Sequence, residues 1–436
     1  MERIFDEVRI EIASVALERL YQAGLRLPDT LLPHALGAAT GMRHLRPATL
    51  AVIGNRGSEI AAQHPGWLWA TARSPADETL WKEGTFAQRV AILEVVRACN
   101  PACGREWLET AWVNETPKFR SEAIDALLVR LSPDDEPFLE SALGDRSPKV
   151  RAKASKLLAR LPNSAFALRM RERADTMLDV VTTGGNAGRQ LLVTPPTTVN
   201  RAWRRDRLIA NPSQAVGVQN WWLTTALASV PPIHWSERFN SHPADLIAAA
   251  AQNGYGPAIL EGWAEAAGNH GDDEWAILLW KWWCHYHTGH LYYRHAFLVL
   301  RWALIRRLSR VQADALALET VPCDAKSDDQ RWLDALEAMQ SFPTPWPVEV
   351  GMRFLDGLRD RAPQGFQFGY PYDPWLKAVT LAEAAMPREC IPRFIDELAH
   401  IPLEEPGGER QLWREYREGF IEGLRIRQRL EEEIAS

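Results

Sequence analysis

A 31-residue internal repeat constrains this chain more than any other feature. Residues 107–127 (WLETAWVNETPKFRSEAIDAL) and 138–158 (FLESALGDRSPKVRAKASKLL) align without a gap. Leu108/Leu139, Glu109/Glu140, Ala111/Ala142, Pro117/Pro148, Lys118/Lys149, Arg120/Arg151, Ala123/Ala154 and Leu127/Leu158 are identical pairs. Arg89, 31 residues before Arg120, extends the register one unit upstream. Each unit reads as helix, polar turn, helix. The first helix is expected to end near Trp112 or Leu143, and the turn to occupy 114–117 or 145–148. Proline suits the first turn of the following helix, where its missing N–H would have no partner anyway. In the second unit Val150, Ala154, Leu157, Leu158 and Leu161 fall on one helical face. Phe119, Ala123, Leu127, Leu128 and Leu131 are expected to do the same in the first. One such pair cannot bury its apolar face alone, so pairs must stack on neighbours. Arg120 and Arg151 stand just inside the second helices. A turn carboxylate such as Asp145 is placed to bond the helix N-terminus or the neighbouring arginine.

The rest of the chain is helical in pattern without that period, so the fold class is all-α. Residues 1–80 are less regular, with an amphipathic stretch at 2–20. Residues 181–200 are dominated by Gly, Thr and Pro and read as a linker or a small hairpin excursion. Helices are expected beyond it at 221–230, 243–252, 257–267, 272–285, 296–310, 328–340, 348–361, 375–385 and 409–433. The resulting division is a helical domain over 1–180 with its repeats clearest at 85–162, the 181–200 stretch, and an irregular helical domain over 201–436.

The segment DRSPKVRAKASKLL resembles the HEAT repeat family in its turn Asp, its Val-Arg pair and its Ala/Leu pattern. That resemblance covers roughly residues 85–162 and implies an α-solenoid in the N-terminal part. It also implies a binding scaffold more readily than an enzyme. Several stretches taken together, GNRGSEIAAQHPGWLW, WLETAW, FLESALGDRSPKVR, LLARLPNSAFALR and WWLTTALASVPPIHW, are similar to a bacterial family of uncharacterised helical proteins. Members of that family tend to be encoded near a MoxR-type AAA+ ATPase, a von Willebrand A protein and a SWIM zinc-finger protein. The resemblance implies an adaptor or scaffold beside an ATPase, and it supplies no catalytic residues.

Charge narrows the partner. The chain of 436 residues carries a net charge of -6, so the whole molecule is not a basic nucleic-acid binder. Between residues 146 and 207, however, fourteen Lys/Arg stand against four Asp/Glu. The local charge is +10 and the remainder carries -16. Arg201, Trp203, Arg204, Arg205 and Arg207 are its densest part. A protein with an acidic surface is the expected partner. A nucleic acid held by phosphate contacts and stacking, as in HEAT-like DNA glycosylases, is the alternative. A solvated face, or ion pairs with the acidic remainder, would account for the same composition.

A second alternative is a metal site in CHYHTGH, where Cys284, His287 and His290 are soft and borderline ligands at helical spacing. Its flanks, WKWW and LYYRH, favour an aromatic seam between helices, the expected role of most of the 19 Trp. Cys99 and Cys103, separated by three residues, read as two buried thiols at a helix end. The loop GFQFGYPYDPW at 365–375 reads as packed, with exposed recognition as its alternative. The carboxylates at 134–136 and 272–274 suit helix N-termini. GxxxxGK(S/T), HExxH and GxSxG do not occur, which argues against an NTPase, a zincin and an α/β-hydrolase. No cofactor is expected. Five cysteines in so long a chain suit a reducing, cytoplasmic setting. Glu2, Arg3, Asp6, Glu7 and Arg9 are unlike a secretory leader, and no apolar run suggests a membrane span.

Overall fold

The structure is a computed structural model. It describes residues 10–42, 45–71, 78–182, 189–198, 200–206, 217–286, 300–321, 329–361, 374–400 and 409–435. Helix makes up 77% and strand 2%, so the fold is all-α. Among the described residues no helix is long and apolar enough to cross a membrane.

The chain forms two compact units, one of Met1–Thr71 with Ser309–Ser436 and one of Ala72–Leu308. In the first, the Ile10–Gln22 helix packs against Arg46–Val52, Pro374–Ala385 and Glu409–Ala435. Ala13, Ala16, Leu17 and Leu20 are its buried face. Leu32, Leu36, Leu45, Val52 and Ile53 complete that core. Arg427 of the last helix is also buried, its Nη1 donating to the Glu383 carbonyl at 2.9 Å.

The second unit contains the repeat. Its helices run Phe86–Cys99, Pro101–Ala111, Pro117–Ala123, Glu136–Ala142, Pro148–Leu158 and Ala165–Met177. Proline is the first residue of three of them. Polar side chains close the N-termini: Asn100 accepts from Cys103 N and Thr116 from Phe119 N, each at 3.2 Å. Val150, Ala154, Leu157, Leu158 and Leu161 are buried together, as their spacing predicts. The first unit departs from that expectation at Leu128, which is 44% exposed. There the α-helix ends at Ala123 and Ile124–Leu128 continues as a 3₁₀ helix. Three residues per turn instead of 3.6 rotates Leu128 off the face that Phe119, Ala123 and Leu127 share.

The stretch 181–200 lies inside the second unit. Leu178–Thr182 and Arg189–Val193 pair as an antiparallel ribbon, with Val180 opposite Leu191. Asn253 holds it, donating to the Leu191 carbonyl at 2.7 Å. Five tryptophans that follow, Trp235, Trp263, Trp275, Trp280 and Trp283, are fully buried in the helices around them. Cys99 ends its helix but is exposed, and Cys103 is half-buried; a new helix starts at Pro101 between them, so the two thiols do not share one buried helix end.

Candidate binding surface

The basic segment begins in the repeat and ends on a short helix, Arg201–Arg205. Asn200 accepts from Trp203 N at 3.0 Å and starts that helix. Trp203 lies half-buried against the core of the repeat, under the Arg173 guanidinium at 5.2 Å from its ring centre. Arg205 projects outward yet reaches back to Glu140 at 2.8 Å. The side chains of Arg201 and Arg204, and all of Arg207, lie outside the described residues.

Two carboxylates organise this corner. Asp206 is 1% exposed and accepts from Arg169 Nε at 2.9 Å, Arg169 Nη2 at 3.0 Å and Arg173 Nη2 at 2.7 Å. Glu140 accepts from Arg169 as well, at 2.9 Å, so Arg169 bridges the two acids. Burial acts to lower the Arg169 pKa, but the hydrogen bonds to Asp206 and Glu140 outweigh it and raise the pKa. Three helices are thereby joined: Glu136–Ala142, Ala165–Met177 and Arg201–Arg205. Buried charge is tolerated only when paired in this manner. Glu140 carried a sequence signal, since it repeats Glu109. Asp206 carried none, lying 33 and 37 residues from the arginines it binds.

A second arginine system runs through the repeat. Arg89 pairs with Glu115, and Arg120 pairs with Asp145 at 2.8 Å. Asp145 also accepts from Ser147 N at 2.7 Å, at the start of the Pro148–Leu158 helix. Arg89 and Arg120 thus each reach the turn of the following unit. Arg151, the last, donates to the carbonyls of Asp145 and Arg146 at 2.6 and 3.0 Å. Asp135, read from sequence only as a helix N-terminal charge, does more. Its Oδ2 caps Ser132 N at 3.0 Å, while its carboxylate takes two bonds from Arg97 at 2.9 and 2.8 Å and one from Arg105 at 3.1 Å.

What remains of the +10 segment outside these ion pairs is its outer cations. Lys149 and Lys156 are exposed on the Pro148–Leu158 helix and make no ion pair among the described residues. Lys153 between them binds Asp125 at 2.6 Å. Lys118 repeats Lys149 one unit earlier and is exposed too. Arg146 and Arg171 add exposed charge nearby in the chain. Of the metal-site residues, Cys284 is half-buried at the end of the Asp273–Tyr286 helix, and His287 and His290 lie outside the described residues. Residues 365–373 of the aromatic loop also lie outside them. Among the described residues no group of three His, Cys, Asp or Glu is placed to hold a metal ion.

The model of a family of unknown function (DUF5691) matches residues 1–434, and the chain belongs to that family. No curated protein and no solved structure matches it.

Proposed function

We propose that this member of the DUF5691 family is a non-catalytic protein-interaction scaffold. In this reading residues 85–162 stack as a HEAT-like α-solenoid and the outer basic face docks an acidic partner protein. The observation that carries it is the contrast within the basic segment. Arg169, Arg173 and Arg205 are held by Asp206 and Glu140, whereas Lys149 and Lys156 stand exposed on one helix and make no ion pair among the described residues. Exposed lysines of one sign steer and orient an oppositely charged partner without requiring a deep cleft. The repetition of Lys118 as Lys149 extends the same charge across consecutive helix pairs. The links from Arg89 to Glu115 and from Arg120 to Asp145 support a stacked, rigid frame beneath it. The partner proposed is an AAA+ ATPase encoded beside this chain, in line with the setting of the proteins it resembles.

The test mixes the full chain with that ATPase and follows the complex by sedimentation velocity. A stoichiometric complex is expected that dissociates toward ~0.5 M salt, as surface charge contacts are screened. K149E and K156E together are expected to weaken it at least tenfold, with unchanged circular dichroism. Absence of a complex at low salt sinks the AAA+ assignment. Retention of duplex or single-stranded DNA in gel shifts, lost in the same double variant, replaces the protein partner with a nucleic acid.

A further inference from the structure

Three helices of the second unit start at one edge of it. Their N-caps, Thr85, Thr116 and Ser147, stand 31 residues apart and open Phe86–Cys99, Pro117–Ala123 and Pro148–Leu158. The middle helix packs on both others. Two arginines tie the starts together. Arg89, near the start of Phe86–Cys99, binds Glu115 in the turn before Pro117. Arg120, near the start of Pro117–Ala123, binds Asp145 in the turn before Pro148 at 2.8 Å. Arg120 also donates to the Glu115 carbonyl at 2.6 Å, and its guanidinium lies 5.6 Å from the centre of the Trp112 ring. The turns at 112–116 and 144–147 are therefore neighbours.

These ties sort the charges by sign. The carboxylates of Glu115 and Asp145 are held inward by the arginines, with side chains 13% and 5% exposed. The cations beside them face water: Lys118, Arg146 and Lys149 are exposed and make no ion pair among the described residues. Of the other carboxylates close by in the chain, Glu109 pairs with Arg105 and Glu122 with Lys153, while Glu83 is exposed at the far end, before Thr85. Apolar groups share the edge. Val113, in the 112–116 turn, is 86% exposed. Phe86 is 39% exposed, with its ring edge-on to Phe119 at 5.5 Å and the Lys118 ammonium 5.4 Å from its centre. A single exposed apolar side chain is ordinary. Here such groups are interspersed with cations along a row that half-buried arginines hold in place.

Cations beside apolar groups suit a ligand that carries both negative charge and apolar side chains. Spacing narrows its form. Lys118 and Lys149 hold the same place on packed helices, whose axes run about 8–10 Å apart. A polyproline II peptide rises about 3.1 Å per residue with three residues per turn, so every third side chain faces the same way about 9 Å further on. We propose that this edge binds an extended acidic peptide segment of a partner protein, in polyproline II form and running across the helix starts. Carboxylates three residues apart lie on Lys118 and Lys149, and an apolar side chain between them covers Val113. This peptide site rests on the scaffold reading above and gives its partner a chemical form.

The test uses the full chain and a fluorescein-labelled peptide of four Asp-Leu-Pro repeats, followed by fluorescence anisotropy at low salt. Saturable binding is expected. Replacing every Asp of the peptide by Asn, or every Leu by Ser, is expected to weaken it about tenfold. Lys118→Gln combined with Lys149→Gln is expected to weaken it about tenfold, and Val113→Ser about fivefold. Circular dichroism should not change, because all three side chains are exposed. At ~0.5 M salt the lysine effect should shrink while the Val113 effect persists. Arg353→Gln, exposed in the first unit, is expected to bind as the parent does. No saturable binding, equal affinity for the Asn peptide, or unchanged affinity in the lysine and valine variants overturns the proposal. Tighter binding of oligo(dT), lost in the same lysine variant, also overturns it and assigns a nucleic acid. Peptide binding without an ATPase complex upholds the site and removes only that partner. An ATPase complex without peptide binding overturns the peptide site and leaves the scaffold reading standing.

Discussion

At the scale of single residues, the charges that matter most are those the chain has hidden. Arg97 and Asp135 are both fully buried, and Arg97 also donates to the carbonyls of Pro101, Leu127, Val129 and Arg130. A pair so desolvated is costly to break from one side, because the remaining ion is stranded without water. Asp135→Ala is therefore expected to destabilise the protein by about 3–5 kcal/mol. Glu109→Ala, which removes a looser pairing with Arg105 at 3.9 Å, is expected to cost under about 1 kcal/mol. Urea denaturation of the two variants decides it, and equal midpoints would contradict the assignment. His270 gives a pH signature. Burial, and then the charge of Arg307, bring its folded pKa down to about 4, below the ordinary 6.5. Above pH 6.5 both folded and unfolded states are neutral and nothing is lost. Below it the unfolded chain takes up a proton that the folded one refuses, so stability falls as pH drops toward 4, by about 2–3 kcal/mol. Asn at position 270 cannot titrate. The stability of the parent relative to His270→Asn is thus expected to decline from pH 7 to 4.5, and parallel profiles would refute this. The Arg97–Asp135 partnership was not visible in the sequence. Asp135 looked like any acidic residue before a helix, and the 38 residues separating it from Arg97 hide the contact from any local pattern.

Among the elements, legibility followed periodicity. The helix expected at 348–361 is the observed Val348–Arg361, and those expected at 243–252 and 409–433 appear as Pro243–Ala251 and Glu409–Ala435. Apolar spacing with a proline or a polar cap at the start sufficed there. Leu128 was misplaced because the sequence does not mark where an α-helix tightens into 3₁₀, and one such turn moves a side chain from core to solvent. For the candidate surface, the sequence located the excess charge but not its division into paired arginines and open lysines, which depends on Asp206 and Glu140 arriving from other helices. The junction between consecutive repeat units rests on Asp145, which binds Arg120 of the earlier unit and caps its own helix through Ser147 N. Asp145→Ala removes both, and a loss of about 2–4 kcal/mol is expected. Hydrogen exchange should show the effect concentrated in Pro117–Ala123 and Pro148–Leu158. A uniform loss of protection over the whole second unit, with no excess at those helices, would count against an inter-repeat role.

For the whole molecule, the decisive contacts join residues that sequence periodicity cannot relate. The first unit combines Met1–Thr71 with Ser309–Ser436, so the chain leaves it, builds the second unit and returns. Ile10–Gln22 presents Ala13, Ala16, Leu17 and Leu20, and besides the nearby Arg46–Val52 it packs on Pro374–Ala385 and Glu409–Ala435, which lie more than 350 residues away. A helix of 13 residues is marginal in water unless its apolar face is covered. Residues 1–71 alone would keep Leu32, Leu36, Leu45, Val52 and Ile53 against that face but lose the cover of Pro374–Ala385 and Glu409–Ala435, and are expected to be less helical than in the full chain by far-ultraviolet circular dichroism, without a cooperative transition. Residues 72–308 hold their own core, from Trp81 through Leu158 and Met170 to Trp222, and are expected to be helical with a cooperative thermal transition as an isolated fragment. Mixing 1–71 with 309–436 is then expected to restore helix beyond the sum of the separate spectra, because each supplies the surface the other needs. Cooperative melting of 1–71 by itself, or additive spectra on mixing, would show that the two distant segments fold independently and that the discontinuous core is not what stabilises them.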